Sequence, residues 1–427
     1  MIRKRFNAAL LEFLCMVTVL MFLCQNTYAQ QAISYEKRSL DWHKRNGHLM
    51  PDGAQAAAIA KLNQEYSKPW RRPSDADGDG VHDNYDPSPY DWREAGYNPF
   101  GVLEFLSWNH SWNNYKYDQN GLEKIVKLMK GAGINFVRFD FLWQDIEPQE
   151  GCRNFEKYDY LVDLLTLNQI RILGVLSYSV SWAGEDWNYP PYNNETFVNY
   201  ASYVIERYKD KVKYWEIWNE PDSRTYWKVR DDMKGYTQLL KEVYNAAKKA
   251  DPSCKIVLGG LTSEGFYALK NIYRNGGKDY FDVMNIHPFT NPLFENRIRY
   301  VKALYKNIRK EMVKNGDGHK KIWFTEIGCP GVKYSAVSQG WWEGKSPTEK
   351  QQAKWLGEIY AEFIRFEDVE KIFWAFLRDN KEHFNNDVDY FGIVRWDYSK
   401  KPAFSTYKKC VKSWKKIAKK LDWWYNY

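Results

Sequence analysis

The sequence predicts an α/β fold, a (β/α)8 TIM barrel, preceded by an N-terminal extension that carries a calcium-loop-like segment. Three observations predict it. From about residue 98, eight short segments rich in β-branched and aromatic residues recur at 101–108, 134–143, 171–178, 213–219, 255–261, 281–288, 321–327 and 371–377. Runs with helical apolar spacing, such as 122–130, 155–167 and 236–250, lie between them. Two of the strand segments end in a carboxylate: YWEIWNEPD (214–222) delivers Glu220 just before Pro221, and KIWFTEIG (321–328) delivers Glu326. Residues 220 and 326 are 106 apart, or three strand–helix units of about 35 residues each, so a closed barrel brings both tips to one cleft. An open doubly wound sheet is the competing architecture. It is disfavoured because no glycine-rich phosphate loop follows the first strand.

In chain order, residues 1–29 read as a signal peptide. Arg3, Lys4 and Arg5 precede an apolar run from Leu10 to Leu23, with Ala29 at the expected cleavage point. The run is short for a bilayer span, and Leu23 before Cys24 argues against lipidation. Residues 30–74 form a polar extension of partly helical pattern. Residues 75–97 hold the segment DADGDGVHDNYD (75–86) and a linker. Asp75, Asp77, Asp79, Asp83 and Asp86 offer oxygens at loop positions one, three, five, nine and twelve. Val81 offers a carbonyl at seven, and Gly80 permits the sharp turn. The segment resembles the calcium loops of EF-hands and thrombospondin type 3 repeats. A single copy, with Asp86 where a bidentate Glu would stand, reads as a structural Ca2+ clip. An acidic linker that binds nothing is the alternative. Residues 98–427 are the barrel domain.

Composition sets the outer bounds. The chain has 427 residues, of which 44% are hydrophobic and 17% aromatic, including 20 Trp and 32 Tyr. That supports one large core, with aromatic rings to spare for stacking on sugar faces. Formal charge is +8, and much of the excess sits at Lys408, Lys409, Lys412, Lys415, Lys416, Lys419 and Lys420. Val411, Trp414, Ala418 and Leu421 recur there at helical spacing, so the lysines read as the solvated face of a terminal helix. An exported chain argues against nucleic acid as partner. Beyond the leader, Cys152, Cys254, Cys329 and Cys410 show no metal-ligand spacing. Export permits disulfides, and Cys152 with Cys329 would be the pair on the cleft side, but buried free thiols are the simpler reading.

Two carboxylates on separate strand tips are the equipment that glycosidic bond cleavage requires. Around them stand GINFVR (133–138), WQDIEP (143–148) followed by Gly151 and Phe155, and SWA (181–183). NIHP (285–288), Thr325-Glu326, FGIVRW (391–396) and KPA (401–403) complete the set. Taken in this order, with Asn219-Glu220-Pro221, they resemble the clan A glycoside hydrolases, and most of all glycoside hydrolase family 39 and its relatives. The resemblance spans about residues 98–421.

The resemblance implies a retaining glycoside hydrolase acting on a β-linked oligo- or polysaccharide, and the leader makes it secreted or periplasmic. The chemistry needs no cofactor, the leader reading implies no stable membrane insertion after cleavage, and a monomer is expected. Glu220 would be the acid/base and Glu326 the nucleophile. Asn219 would bind the sugar 2-hydroxyl, and Arg138 would sit beneath the nucleophile. His287 and Trp374 would line the reactive subsite, with Trp143 and Trp182 as further sugar contacts. Each has a plainer reading: Arg138 as an interior ion-pair partner, His287 as a structural histidine, Trp374 as core. Glu216, deeper on the same strand as Glu220, reads as a structural ion-pair residue. Loop aromatics Trp182, Trp187, Tyr189, Trp341 and Trp342 are candidate platforms. One departure stands out: Phe289 occupies the position where many clan A enzymes carry a tyrosine. A non-catalytic carbohydrate-binding barrel and a transglycosylase are the competing functions.

Overall fold

The computed structural model describes residues 98–425, apart from 112, 114, 115, 335–343 and 367. The expected leader, the extension, the calcium-loop-like segment, Trp341 and Trp342 lie outside the described residues.

Eight strands, β1 (Phe100–Leu103), β2 (Phe136–Leu142), β3 (Arg171–Ser177), β4 (Tyr214–Ile217), β5 (Lys255–Leu258), β6 (Met284–Ile286), β7 (Ile322–Ile327) and β8 (Val369–Ala375), form one parallel sheet. Their order is β5-β4-β3-β2-β1-β8-β7-β6. Bridges Val257–Val283 and Leu261–Ile286 bring β5 to β6 and close the ring. The fold is the (β/α)8 TIM barrel that the alternation predicted. Most strands are shorter than their sequence segments, because the tips leave the ladder to become loops over the mouth.

Helices α1 (Gln119–Ala132), α2 (Trp143–Ile146), α3 (Glu156–Leu167), α4 (Asn194–Tyr208), α5 (Lys234–Ala250), α6 (Gly265–Arg274), α7 (Arg297–Lys314), α8 (Glu349–Phe363) and α9 (Pro402–Tyr425) accompany them. α5 shows why they form: Tyr236, Leu239, Leu240, Val243 and Ala247 fall on one buried face at spacings of three and four. α8 starts at a capping box, in which the Thr348 hydroxyl accepts from the Gln351 amide and Gln351 returns the contact. α1 is N-capped by Asp118 and stopped by Gly133 at φ 85°, a left-handed conformation that favours glycine. On α9, Lys408, Lys409, Lys412 and Lys415 are exposed while Tyr407 and Val411 are buried. Among the described residues, no helix is long and apolar enough to cross a membrane. Cys152, Cys254, Cys329 and Cys410 are all free thiols.

The bottom of the barrel is plugged by Phe136, Leu173, Tyr214, Val257, Val283, Trp323 and Phe373, one from each of seven consecutive elements of the wall. Their rings interlock, with Tyr214 and Trp323 centroids 4.8 Å apart and Phe136 and Phe373 5.3 Å apart. This layer sets the parity of every strand above it. Side chains two and four residues beyond a plug residue also point inward. From Phe136 that parity gives Arg138 and Asp140, and from Tyr214 it gives Glu216.

Candidate active site

Above the plug, a cavity of about 890 Å3 opens at the C-terminal ends of the strands. Its floor is organised by Arg138, which is almost fully buried. Arg138 Nε donates to Glu216 Oε2 at 2.7 Å and Nη2 donates to Oε1 at 2.9 Å, a two-pronged pair. Nη1 donates to Glu326 Oε1 at 2.6 Å, and Nη2 also donates to Asn219 Oδ1 at 2.8 Å. Glu216 further accepts from the Gly260 amide at 3.1 Å. One guanidinium therefore ties β2 to the tips of β4 and β7.

Simple strand alternation would not put both glutamates in the mouth. On β4, strict parity would send Trp218 inward after Glu216. Instead Trp218 takes φ 66° and Glu220 φ 44°, in the left-handed region that non-glycine residues rarely occupy. Trp218 turns into the core, where its indole N–H donates to the Tyr226 carbonyl at 2.8 Å and its ring packs against Trp227. Asn219 and Glu220 are left facing the cavity. On β7, Phe324 pairs with Ile372 but Ile327 pairs with Trp374, so β7 carries one residue more than β8. This bulge lets Thr325 and Glu326 both reach the site.

His287 joins the two tips. One ring nitrogen, Nδ1, is 2.9 Å from Glu220 Oε1 and 3.9 Å from Glu326 Oε1, and Nε2 is 2.8 Å from Thr325 Oγ1. The imidazole needs the room that Gly260 leaves: a β-carbon there would collide with the ring. One carboxylate oxygen each from Glu220 and Glu326, with a ring nitrogen of His287, all lie within 4.8 Å of one another.

Burial raises the Glu220 carboxyl to about 7, with Arg138 opposing at a distance and Glu216 reinforcing. Burial raises Glu326 as well, but His287 and the directly bonded Arg138 work against it. Burial also lowers His287, which favours the neutral ring. Asp140, one inward position above Arg138, is raised to about 6 by burial, with Arg138 and the Trp108 indole opposing.

The sequence-derived contacts divide. Arg138, Asn219, Glu220, His287, Glu326 and Trp143 line the cavity. Trp374 does not. Its neighbour Phe373 points into the barrel, so Trp374 faces the outer layer, where its indole donates to the Phe391 carbonyl at 3.2 Å; Phe376, just beyond β8, is the aromatic that lines the cavity there. Trp182 also stays out of the lining, its indole donating to the Glu147 carbonyl at 3.0 Å. Glu147 takes the Trp143 indole too, at 3.1 Å. Among the loop platforms, Trp187 lines the cavity and Tyr189 does not.

Phe289 is on the lining, 6.5 Å from the His287 ring. Sequence reasoning missed Asp140, Tyr178 and Tyr226, and named Thr325 only as part of a motif, without a role. Asp140 was readable from its two-residue spacing to Arg138. Tyr226, a loop residue without motif, was not.

Comparison with known proteins matches residues 94–380, more than half of the chain, to the family described as Cellulase (glycosyl hydrolase family 5). Avenacosidase 2 of Avena sativa is 28% identical over 150 residues, covering 32% of this chain and 25% of that protein. A furostanol glycoside 26-O-beta-glucosidase of Hellenia speciosa is 33% identical over 122 residues, covering 26% of this chain and 20% of its own. The match thus spans a quarter or less of these curated relatives. Among solved structures, a family 39 glycoside hydrolase from Bacteroides cellulosilyticus WH2 superposes with TM-score 0.60 at 23% identity, covering 75% of this chain and 64% of that one. The clan A resemblance carried by the strand-tip motifs is thereby matched at the level of the whole barrel. The chain belongs to glycosyl hydrolase family 5, the cellulase family of clan A, on a barrel fold it shares with family 39.

Proposed function

We propose that this chain is a retaining glycoside hydrolase that cleaves β-linked glycosides by double displacement. The observation that carries the reading is the approach of Glu220 and Glu326 to within 4.8 Å, with Arg138 bonded to Glu326 alone of the two. Retaining pairs stand about 5–5.5 Å apart, whereas inverting pairs need roughly 6.5–9.5 Å to seat a water. Glu326, whose anion the bonded guanidinium favours against the effect of burial, attacks the anomeric carbon. Glu220, its proton retained by burial, protonates the departing oxygen. The neutral His287 ring donates from Nδ1 to Glu220 and accepts the Thr325 hydroxyl at Nε2, which holds the acid toward the leaving group. In the second step Glu220, now ionised, takes a proton from water as that water releases the sugar from Glu326. Asn219, oriented by Arg138, is placed to donate to the sugar 2-hydroxyl.

The test is covalent trapping. An activated 2-deoxy-2-fluoro-β-glycoside should add one glycosyl mass to the peptide that contains Glu326. Labelling of a peptide with Glu220, or none with a substrate that turns over, would contradict the assignment. Transglycosylation is the second reading, favoured by the aromatic lining that could seat an acceptor, and added alcohol would reveal it as a new glycoside.

Export through the leader and a structural Ca2+ in the 75–86 loop complete the proposal, resting on the charge pattern of those segments. A chelator should lower the melting temperature of the full chain, and Ca2+ should restore it. An unchanged melting temperature would remove the calcium clip.

A further inference from the structure

Asp140 has no part in the double displacement, yet it stands in the same cavity. It is 8% exposed and lines the opening one inward position above Arg138. Its Oδ2 accepts from the Trp108 indole at 2.9 Å, and its backbone carbonyl accepts from the Ser107 hydroxyl at 2.7 Å, so strand and side chain are both fixed. The other carboxylate oxygen, Oδ1, has no donor among the described residues. Trp108 also lines the cavity, packed on Phe105 with ring centroids 4.3 Å apart. Asp140 shares the inward face of β2 with Arg138, two residues away, and Arg138 is bonded to Glu326, so Asp140 stands beside the reactive pair in the same cavity.

The charge balance around it is one-sided. Arg138 is the one Lys or Arg among the described lining residues, against four carboxyls: Glu104, Asp140, Glu220 and Glu326. Arg138 is already committed to Glu216, Glu326 and Asn219. A carboxylated sugar would therefore enter beside three or four acids with no cation to meet it. A neutral sugar offers hydroxyl donors, which is what a fixed, half-satisfied buried carboxylate needs.

We propose that Asp140, braced by Trp108, is the specificity-determining residue of the reactive subsite: it accepts a hydroxyl of a neutral sugar and rejects the corresponding uronide. The inference rests on the glycoside hydrolase reading and deepens it. Its test compares an aryl β-glycoside with the β-glycosiduronate of the same ring configuration and leaving group, on wild type and Asp140→Asn. Wild type should favour the neutral substrate in kcat/KM by at least about a hundredfold. Asp140→Asn should lose about ten- to a hundredfold on the neutral substrate, mostly in KM, while the gap between the two substrates narrows by tenfold or more. Trp108→Phe, which frees the carboxylate but keeps its charge, should raise KM about three- to tenfold and leave the uronide rejected. Equal turnover of uronide and neutral substrate by wild type overturns the inference, whatever the variants do. So does an Asp140→Asn protein with both KM and selectivity unchanged. If Asp140→Asn does not fold, an unchanged KM in Trp108→Phe overturns it instead. Failure of the underlying reading looks different: neither substrate turns over, and Glu326 is not labelled by the trap.

Discussion

The tips of β4 and β7 deliver the same side chain to the same cavity by different departures from strand geometry. β4 twists into the left-handed region at Trp218 and Glu220, whereas β7 keeps ordinary dihedrals and gains a bulge against β8. Left-handed backbone at a non-glycine residue costs about 1–2 kcal/mol, so the β4 tip stores strain that the β7 tip does not. The neighbours differ as well. Glu326 shares a 2.6 Å bond with Arg138, while Glu220 meets an imidazole lowered toward neutrality by burial. Burial raises both carboxyls, but at Glu326 the bonded guanidinium opposes that rise, which on the proposed reading favours Glu326 as the anion and Glu220 as the proton carrier. The division lies in the partners the barrel supplies and not in the residue type.

Removing each carboxylate in turn is the strongest way to break this comparison. Glu326→Gln should lower turnover by on the order of 10^5-fold or more on every substrate, because no leaving group compensates for a missing nucleophile. Glu220→Gln should cost about 10^2–10^4-fold on alkyl glycosides and far less on dinitrophenyl glycosides, which depart unprotonated. Steady-state kinetics across a leaving-group series reads both. Parallel losses for the two variants across the series would erase the distinction between the tips.

A smaller effect is expected in the pH profile. kcat/KM should be bell-shaped. It should fall on the alkaline side as pH rises through about 7, where Glu220 loses its proton, and on the acid side as Glu326 gains one. In Glu220→Gln the alkaline limb near 7 should vanish. A limb that persists there would assign it to another group.

The smallest effect is on stability. Glu220 is raised from its ordinary 4.5 to about 7 in the fold. Below 4.5 it is protonated both folded and unfolded and costs nothing. As pH rises from there the unfolded chain ionises while the buried carboxyl keeps its proton, so stability is lost between 4.5 and the folded value, by about 3 kcal/mol once pH exceeds 7. Glu220→Gln should therefore melt above wild type at pH 8 and level with it at pH 4.5. Equal melting at both would mean that burial does not penalise the Glu220 anion.

The sequence disclosed the barrel because its signals are local: apolar runs, helical spacing on α5, and a proline closing the β4 strand. It also marked Arg138, Asn219, Glu220, His287 and Glu326, which meet in one cluster. Other parts of the site depend on registers that single strands do not reveal. The extra residue of β7 exists only relative to β8, so the way Glu326 reaches the cavity while Thr325 bonds His287 behind it was hidden. Trp374 was placed on the subsite by resemblance, but the inward choice of Phe373 turns it outward. Trp182 and Trp143 both give their indole N–H groups to Glu147, a partner that sequence spacing does not identify. Asp140 was within reach of alternation alone, since a residue two beyond an inward arginine shares its face.

The division of labour between the two tips is tested most directly by the stereochemistry of the first product. Proton NMR of a β-glycoside digest, recorded before mutarotation, reads the anomer released by the enzyme. The account predicts the β-anomer, because attack by Glu326 and then by water inverts the centre twice. An initial α-anomer would mean a single displacement by water, and would contradict the assignment of Glu326 as the nucleophile and Glu220 as its acid partner.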